Sequence, residues 1–204
     1  MAEPPDDTLL IATTNQGKLR EIRELLAGIP VRLLTLADVP PVVPPEETGE
    51  TFEENARLKA MYYAGHAGIA TVAEDSGLEI DALDGAPGVY SARYGGEDST
   101  YPEKFALIEA SLAKVPARPR TARFVCALAL ASPAGVRFET RGTVEGEISR
   151  EASGTGGFGY DPIFFYPPFG CTLAEAGPRK SAVSHRARAF AALARFLRDR
   201  TQVP

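Results

Sequence analysis

Thiols and imidazoles are scarce in this 204-residue chain, which has two cysteines, two histidines and no Cys-x-x-Cys pair. Zinc sites draw on clustered cysteine and histidine ligands, so this scarcity argues against one. Cys126 and Cys171 make no disulfide framework. Cys126 lies in the apolar run Phe124-Val-Cys-Ala-Leu-Ala-Leu130, where it reads as a buried, inert thiol. Long apolar runs are also missing, and none approaches the about 20 residues that a helix needs to cross a bilayer. Basic residues are in deficit, and the net charge of −5 argues against broad binding to nucleic acid or to a membrane surface. The acidic start, residues 1–7, lacks a hydrophobic centre and does not read as a signal peptide. There is no internal repeat and no low-complexity linker. These absences leave a soluble, cytoplasmic protein, expected as one domain of two lobes over residues 1–204.

What is present suffices for a core, at 44% hydrophobic and 24% charged residues. Residues 8–13 form a short apolar run of the buried-strand kind. The polar turn Thr14-Asn-Gln-Gly17 follows, then a helical stripe of Leu19, Ile22, Leu25, Leu26 and Ile29, with Gly28 near its end. Strand, turn and helix in that order open an α/β fold. Residues 31–36 read as a second strand, and the proline-rich residues 40–45 as a stiff connector. Thr51-Phe-Glu-Glu54 has the form of a capping box and starts a helix with Phe52, Ala56, Ala60 and Tyr63 on one face, ended by Gly65 and Gly68. Residues 69–73 and 78–83 read as separate strands on either side of Glu74-Asp-Ser-Gly77. Thr100-Tyr-Pro-Glu103 caps a third helix bearing Phe105, Ile108 and Leu112. Residues 123–131 and 136–143 form an expected hairpin, with Ile148 as its candidate continuation. A strand at 163–166 precedes a last helix from Ser181, with Val183, Ala187, Phe190, Ala194 and Leu197 facing the core and Leu193 at the edge of that stripe.

Several stretches carry chemistry. Thr13-Thr-Asn-Gln-Gly-Lys18 offers hydroxyls, an amide and an ammonium at a helix start, where backbone N–H groups favour anions. It lacks the spacing of a Walker A loop, and a plain capped turn with a solvated lysine explains it as well. Asp75, read at a strand end, is either a ligand carboxylate or the cap of a turn. As a ligand it suits magnesium, which takes oxygen donors and keeps several waters. Glu74 beside it should point to the opposite face. Glu46, Glu47 and Glu50 belong to a run of five acids without a base over residues 46–54, and one of them could be a second metal ligand. Lys59 falls on the face of Phe52 and Ala56, as a snorkelling lysine would. In Gly154-Thr-Gly-Gly-Phe-Gly-Tyr-Asp161 the glycine density points to ligand binding, with Phe158 and Tyr160 to stack on a base and Asp161 to accept from ring N–H groups. Lys180-Ser-Ala-Val-Ser-His185-Arg186 offers a second anion or base contact, within a stretch of seven basic residues and one acid from Arg179 to Arg200. His66 is given no role.

Taken together, six segments resemble the inosine/xanthosine triphosphate pyrophosphatase family, in order and across residues 13–186. They are Thr13-x-Asn15-x-x-Lys18, Glu46-Glu-Thr-Gly-x-Thr-Phe-x-Glu-Asn-Ala, Asp75-Ser-Gly-Leu, Gly85-Ala-Pro-Gly-Val-Tyr-Ser-Ala-Arg93-Tyr, Gly154-Thr-Gly-Gly-Phe-Gly-Tyr-Asp161-Pro and Lys180-Ser-Ala-Val-Ser-His185-Arg186. The resemblance implies hydrolysis of ITP, dITP and XTP to monophosphate and pyrophosphate, with magnesium. It implies an elongated mixed α/β sheet flanked by helices, two lobes with a cleft between them, and a homodimer. Asp75 would be general base and metal ligand, with Glu47, in preference to Glu46, as the other metal contact. Lys18, with Thr13, Thr14, Asn15, Gln16 and Gly17, and also Lys59 and Ser76, would bind phosphates. Phe158, Gly159, Tyr160, Asp161, Lys180, His185 and Arg186 would surround base and sugar. Members commonly read Asp-Asp-Ser-Gly where this chain has Glu74, which puts the role of the first acid in doubt. The rivals are a septum-inhibitor-type pyrophosphatase acting on pyrimidine or modified nucleotides, and a non-catalytic nucleotide sensor.

Overall fold

The computed structural model describes residues 8–201, apart from the Arg200 and Thr201 side chains. Residues 1–7, with the reading that they form no signal peptide, lie outside it. The elements are β1 (Thr8–Ile11), α1 (Gln16–Leu25), β2 (Arg32–Thr35), α2 (Phe52–Ala67), β3 (Thr71–Ile80), α3 (Tyr101–Leu112), β4 (Thr121–Ser132), β5 (Gly135–Ile148), β6 (Phe164–Tyr166), β7 (Cys171–Thr172), α4 (Arg179–Val183) and α5 (His185–Thr201). The strands pair in the order β2-β1-β3-β4-β5-β6-β7. β1 runs parallel to β2 and β3, because α1 and α2 supply the crossovers that parallel neighbours need. β6 runs antiparallel to β5 and β7. The sheet is therefore mixed and the fold α/β, as expected.

The chain resolves into two compact units, residues 1–75, 126–142 and 186–204, and residues 76–125 and 143–185. Each has its own core. In the first, Leu9, Ile11, Ile22, Leu26, Val72, Leu128, Leu130, Phe190 and Leu193 cluster. In the second, Leu78, Ile80, Ile108, Leu112, Phe124, Ile148, Tyr160, Ile163 and Phe164 do so.

The punctuation of the helices follows the sequence closely. Thr51 and Glu54 form the expected capping box at α2, and Thr100 and Glu103 form another at α3. Phe52, Ala56, Ala60 and Tyr63 are all buried. Gly65 does not end α2, which runs to Ala67 with left-handed Gly68 as its cap.

Two element expectations fail. Residues 69–73 and 78–83 are not two strands, because β3 runs unbroken from Thr71 to Ile80 through both acids. Adjacent acids read as a strand end because burying carboxylates is costly, but here each finds cations inside the fold. The last helix is also not continuous from Ser181. Ser184, with φ −63° and ψ 152°, separates α4 from α5. Leu193 is fully buried with Ala189, Phe190 and Ala194, while Val183 and Ala187 are half-buried.

Candidate active site

In the first unit, α1 and α2 bring cations to the two acids of β3. Asn15 caps α1, its side-chain oxygen accepting from the Lys18 N–H at 3.1 Å, and the Thr13 hydroxyl accepts from the Asn15 N–H. The turn that should bind phosphate is thus a capped helix start whose Thr14, Asn15 and Gln16 are exposed and whose Thr13, Gly17 and Lys18 are half-buried.

Asp75 lies inside β3 and is 7% exposed. Its Oδ1 is 3.3 Å from the Lys59 ammonium, and its Oδ2 accepts from the Asn55 amide at 3.2 Å. Lys59 also donates to Glu47 at 2.7 Å. One cation is therefore shared by the carboxylates of Asp75 and Glu47. Burial raises the Asp75 carboxyl above the usual aspartate range, and the Lys59 charge only partly opposes this. Burial alone would lower the Lys59 ammonium, but Asp75 and Glu47 beside it reverse that and hold it up. Lys59 is thus a buried partner of both carboxylates, not a snorkelling side chain. Glu46 is exposed, so of the two candidate ligands only Glu47 joins this group.

Glu74 takes a separate set of partners, as strand alternation requires. Arg186 meets it bidentately, Nε to Oε2 at 2.9 Å and Nη2 to Oε1 at 2.8 Å. The Cys126 thiol donates to Oε2 at 2.8 Å, and the Lys18 ammonium lies 3.1 Å from Oε1. Arg186 also donates to Glu21 at 2.6 Å. Burial would raise the Glu74 carboxyl, but Arg186 and then Lys18 overrule it and hold it well below the usual range. Arg186, 1% exposed, is held in this network. Cys126 is buried, and burial pushes its thiol up, yet it is a hydrogen-bond donor rather than mere filling.

In the second unit, Asp161 is 2% exposed. Its Oδ2 accepts from the Phe158 N–H at 2.8 Å and from the Lys180 ammonium at 2.7 Å. That ammonium also sits 4.8 Å from the centre of the Phe158 ring. Tyr160 is not a stacking platform. Its ring packs edge-on against Tyr101 and near Phe105, and its hydroxyl donates to the Ser91 carbonyl at 2.7 Å. His185 is 6% exposed and stacks on Phe124 at 5.0 Å. Ser76 and Gly159 are half-buried.

The glycine density has a packing cause that the sequence reading overlooked. A Cβ at Gly156 would stand 2.6 Å from the Ala174 carbonyl oxygen, so the loop closes onto the chain after β7. Gly157, at φ +71°, leaves the space that the Asp161 carboxylate fills, since a Cβ there would collide with Oδ2. Sequence reasoning also gave no role to Asn55 and left that of Glu74 open. Asn55 carried a readable signal, an amide among the buried Phe52, Ala56 and Ala60.

Residues 9–196 match the model of the Ham1 family. The chain belongs to the Ham1 family. The dITP/XTP pyrophosphatase of Exiguobacterium sibiricum is 49% identical over 194 residues, covering 93% of this chain and 98% of that protein. That of Geobacter sulfurreducens is 50% identical over 186 residues, covering 91% and 94%. Among solved structures, a HAM1 protein from Coxiella burnetii superposes with a TM-score of 0.86 at 38% identity, covering 94% of this chain and 98% of that one. The nucleoside-triphosphatase / dITP/XTP pyrophosphatase of Mycobacterium abscessus gives 0.75 at 44%, covering 91% and 98%. This Ham1 chain thus shares its fold and its length with these relatives.

Proposed function

We propose that this protein hydrolyses deaminated purine nucleoside triphosphates, ITP, dITP and XTP, to the monophosphate and pyrophosphate. The observation that carries this is the pair of carboxylates, Asp75 on β3 and Glu47 ahead of α2, gathered around the Lys59 ammonium. The substrate class is argued from the names of relatives about half identical over nearly their whole length.

The donor set fits magnesium. Two carboxylates already share the Lys59 ammonium, and a hard divalent ion needs only one or two such oxygens beside water and phosphate. Asp75 and Glu47 would hold the ion, and when bound it supplies positive charge along the triphosphate. Asp75 orients the attacking water and takes its proton. The water oxygen bonds to phosphorus, the anhydride bond between the first and second phosphates breaks, and pyrophosphate leaves. Lys18, at the start of α1, and Lys59 offset the charge that builds on phosphate oxygens, which is the larger part of catalysis in phosphoryl transfer.

In the second unit, Asp161 is the acceptor for a purine ring N–H, and the Lys180 ammonium beside it is the donor for a 6-oxo group. Adenine, with an amino group at that place, would leave the donor unmet. Phe158 is the aromatic neighbour of this pair.

A homodimer acting on the cytoplasmic nucleotide pool completes the reading. Val43 and Met61 are exposed apolar side chains, and exposed apolar surface of this kind is what self-association would cover. Among the described residues no helix is long and apolar enough to cross a membrane.

Pyrophosphate release from ITP, XTP, GTP, ATP and dTTP, with and without magnesium, tests the assignment. ITP and XTP should lead, and chelation should stop turnover. Faster cleavage of dTTP or UTP than of ITP would give the case to the pyrimidine rival.

A further inference from the structure

Glu74 is the most enclosed acid of the first unit, and no step above uses it. Its side chain is 1% exposed, yet it meets three partners of different kinds: the Arg186 guanidinium, the Cys126 thiol and the Lys18 ammonium. Arg186 is also 1% exposed and is fixed from its other side by Glu21. Lys18, at 18%, is the cation of this group that reaches solvent.

The arrangement has a direction. A bidentate guanidinium–carboxylate contact sets the plane of the Glu74 carboxylate, because both partners are flat and both oxygens are engaged. The thiol hydrogen bond to Oε2 fixes it further, which leaves Oε1 aimed at Lys18. A lysine on a flexible four-carbon stem is otherwise a poorly directed charge. Arg186 and Lys18 face Glu74 and Glu21 in this group, so the Glu74 carboxylate is held by Arg186 while it meets Lys18.

We infer that Glu74, locked by Arg186 and Cys126, is a positioning residue that holds the Lys18 ammonium where it meets the substrate's phosphates. This rests on the phosphate role given to Lys18 above. The glutamate side chain reaches all three partners at once.

A double-mutant cycle tests it. Pyrophosphate release from ITP is measured for Glu74→Gln, Lys18→Gln and the pair. Glu74→Gln should lower kcat/KM about tenfold in the wild-type background, and less than about twofold where Lys18 is already glutamine. Equal losses in both backgrounds, or no loss in either, would overturn the inference. Because Glu74→Gln alone leaves Arg186 short of a buried partner, Glu74→Gln/Arg186→Met is made as well. It removes both buried charges, should melt cooperatively, and should keep the tenfold loss; a recovered rate in that folded variant also counts against the idea. If Lys18→Gln runs at the wild-type rate, the phosphate role of Lys18 falls and takes this inference with it. If Lys18→Gln is slow and Glu74→Gln is not, only the positioning role falls.

Discussion

Glu74 and Asp75 are neighbours on β3, yet their carboxylates hold different cations. Glu74 pairs with Arg186 and Lys18, and Asp75 with Lys59. The pleat sends adjacent side chains to opposite faces, so one strand serves both a buried structural network and a candidate reaction centre. Burial pushes both carboxyls up, but Arg186 and Lys18 overrule it at Glu74 and hold that acid down, while at Asp75 burial prevails.

Asp75→Asn keeps the shape and the contact with Asn55 but removes the proton acceptor. Pyrophosphate release from ITP should fall at least about 100-fold, while ITP binding followed by calorimetry persists. Unchanged turnover would remove Asp75 from the mechanism.

Gly157→Ala should damage selectivity more than rate. The new methyl group would press on the Asp161 Oδ2 and turn the carboxylate away from its partners. The ratio of kcat/KM for ITP over ATP is expected to drop several-fold, with a smaller change for Gly170→Ala, where a Cβ meets nothing within 4 Å. Equal effects at both positions would point to backbone strain alone, since both have positive φ.

Lys180→Met strips the 2.7 Å ammonium from a carboxylate that is 2% exposed. Breaking such a pair from one side costs about 3–5 kcal/mol. Thermal unfolding should show a loss of this order, and Lys180→Met/Asp161→Leu should recover much of it while ITP still binds poorly.

Acid should weaken the first unit through Glu74. Its folded pKa is depressed, so its stabilisation is complete above the unfolded glutamate value of about 4.3 and is lost as pH falls through and below that value. Asp75 has the opposite sign, because its raised carboxyl favours the fold when protonated. Melting curves taken from pH 7 to pH 3 should drop more steeply for the wild type than for Glu74→Gln/Arg186→Met. Parallel curves would show that Glu74 does not govern the acid limb.

Much of this protein is written locally. The two capping boxes, the stripe Phe52-Ala56-Ala60-Tyr63 and the opening strand–turn–helix follow from hydrogen-bonding rules and periodicities that act within a few residues. So does the opposition of Glu74 and Asp75, which needs only a strand. The six motifs marked out the family without showing what each residue touches.

Only the tertiary structure decided which charges meet. Lys59 reads as a snorkelling lysine until Glu47 and Asp75 close on it from 12 and 16 residues away. Arg186 reads as a ligand contact alone until Glu74, 112 residues distant, meets it. Tyr160 reads as a stacking ring until the Ser91 carbonyl takes its hydroxyl. Electrostatic and hydrogen-bond energies depend on distance and burial rather than on residue type. The same side chain is thus solvated, structural or chemical according to what the fold packs beside it.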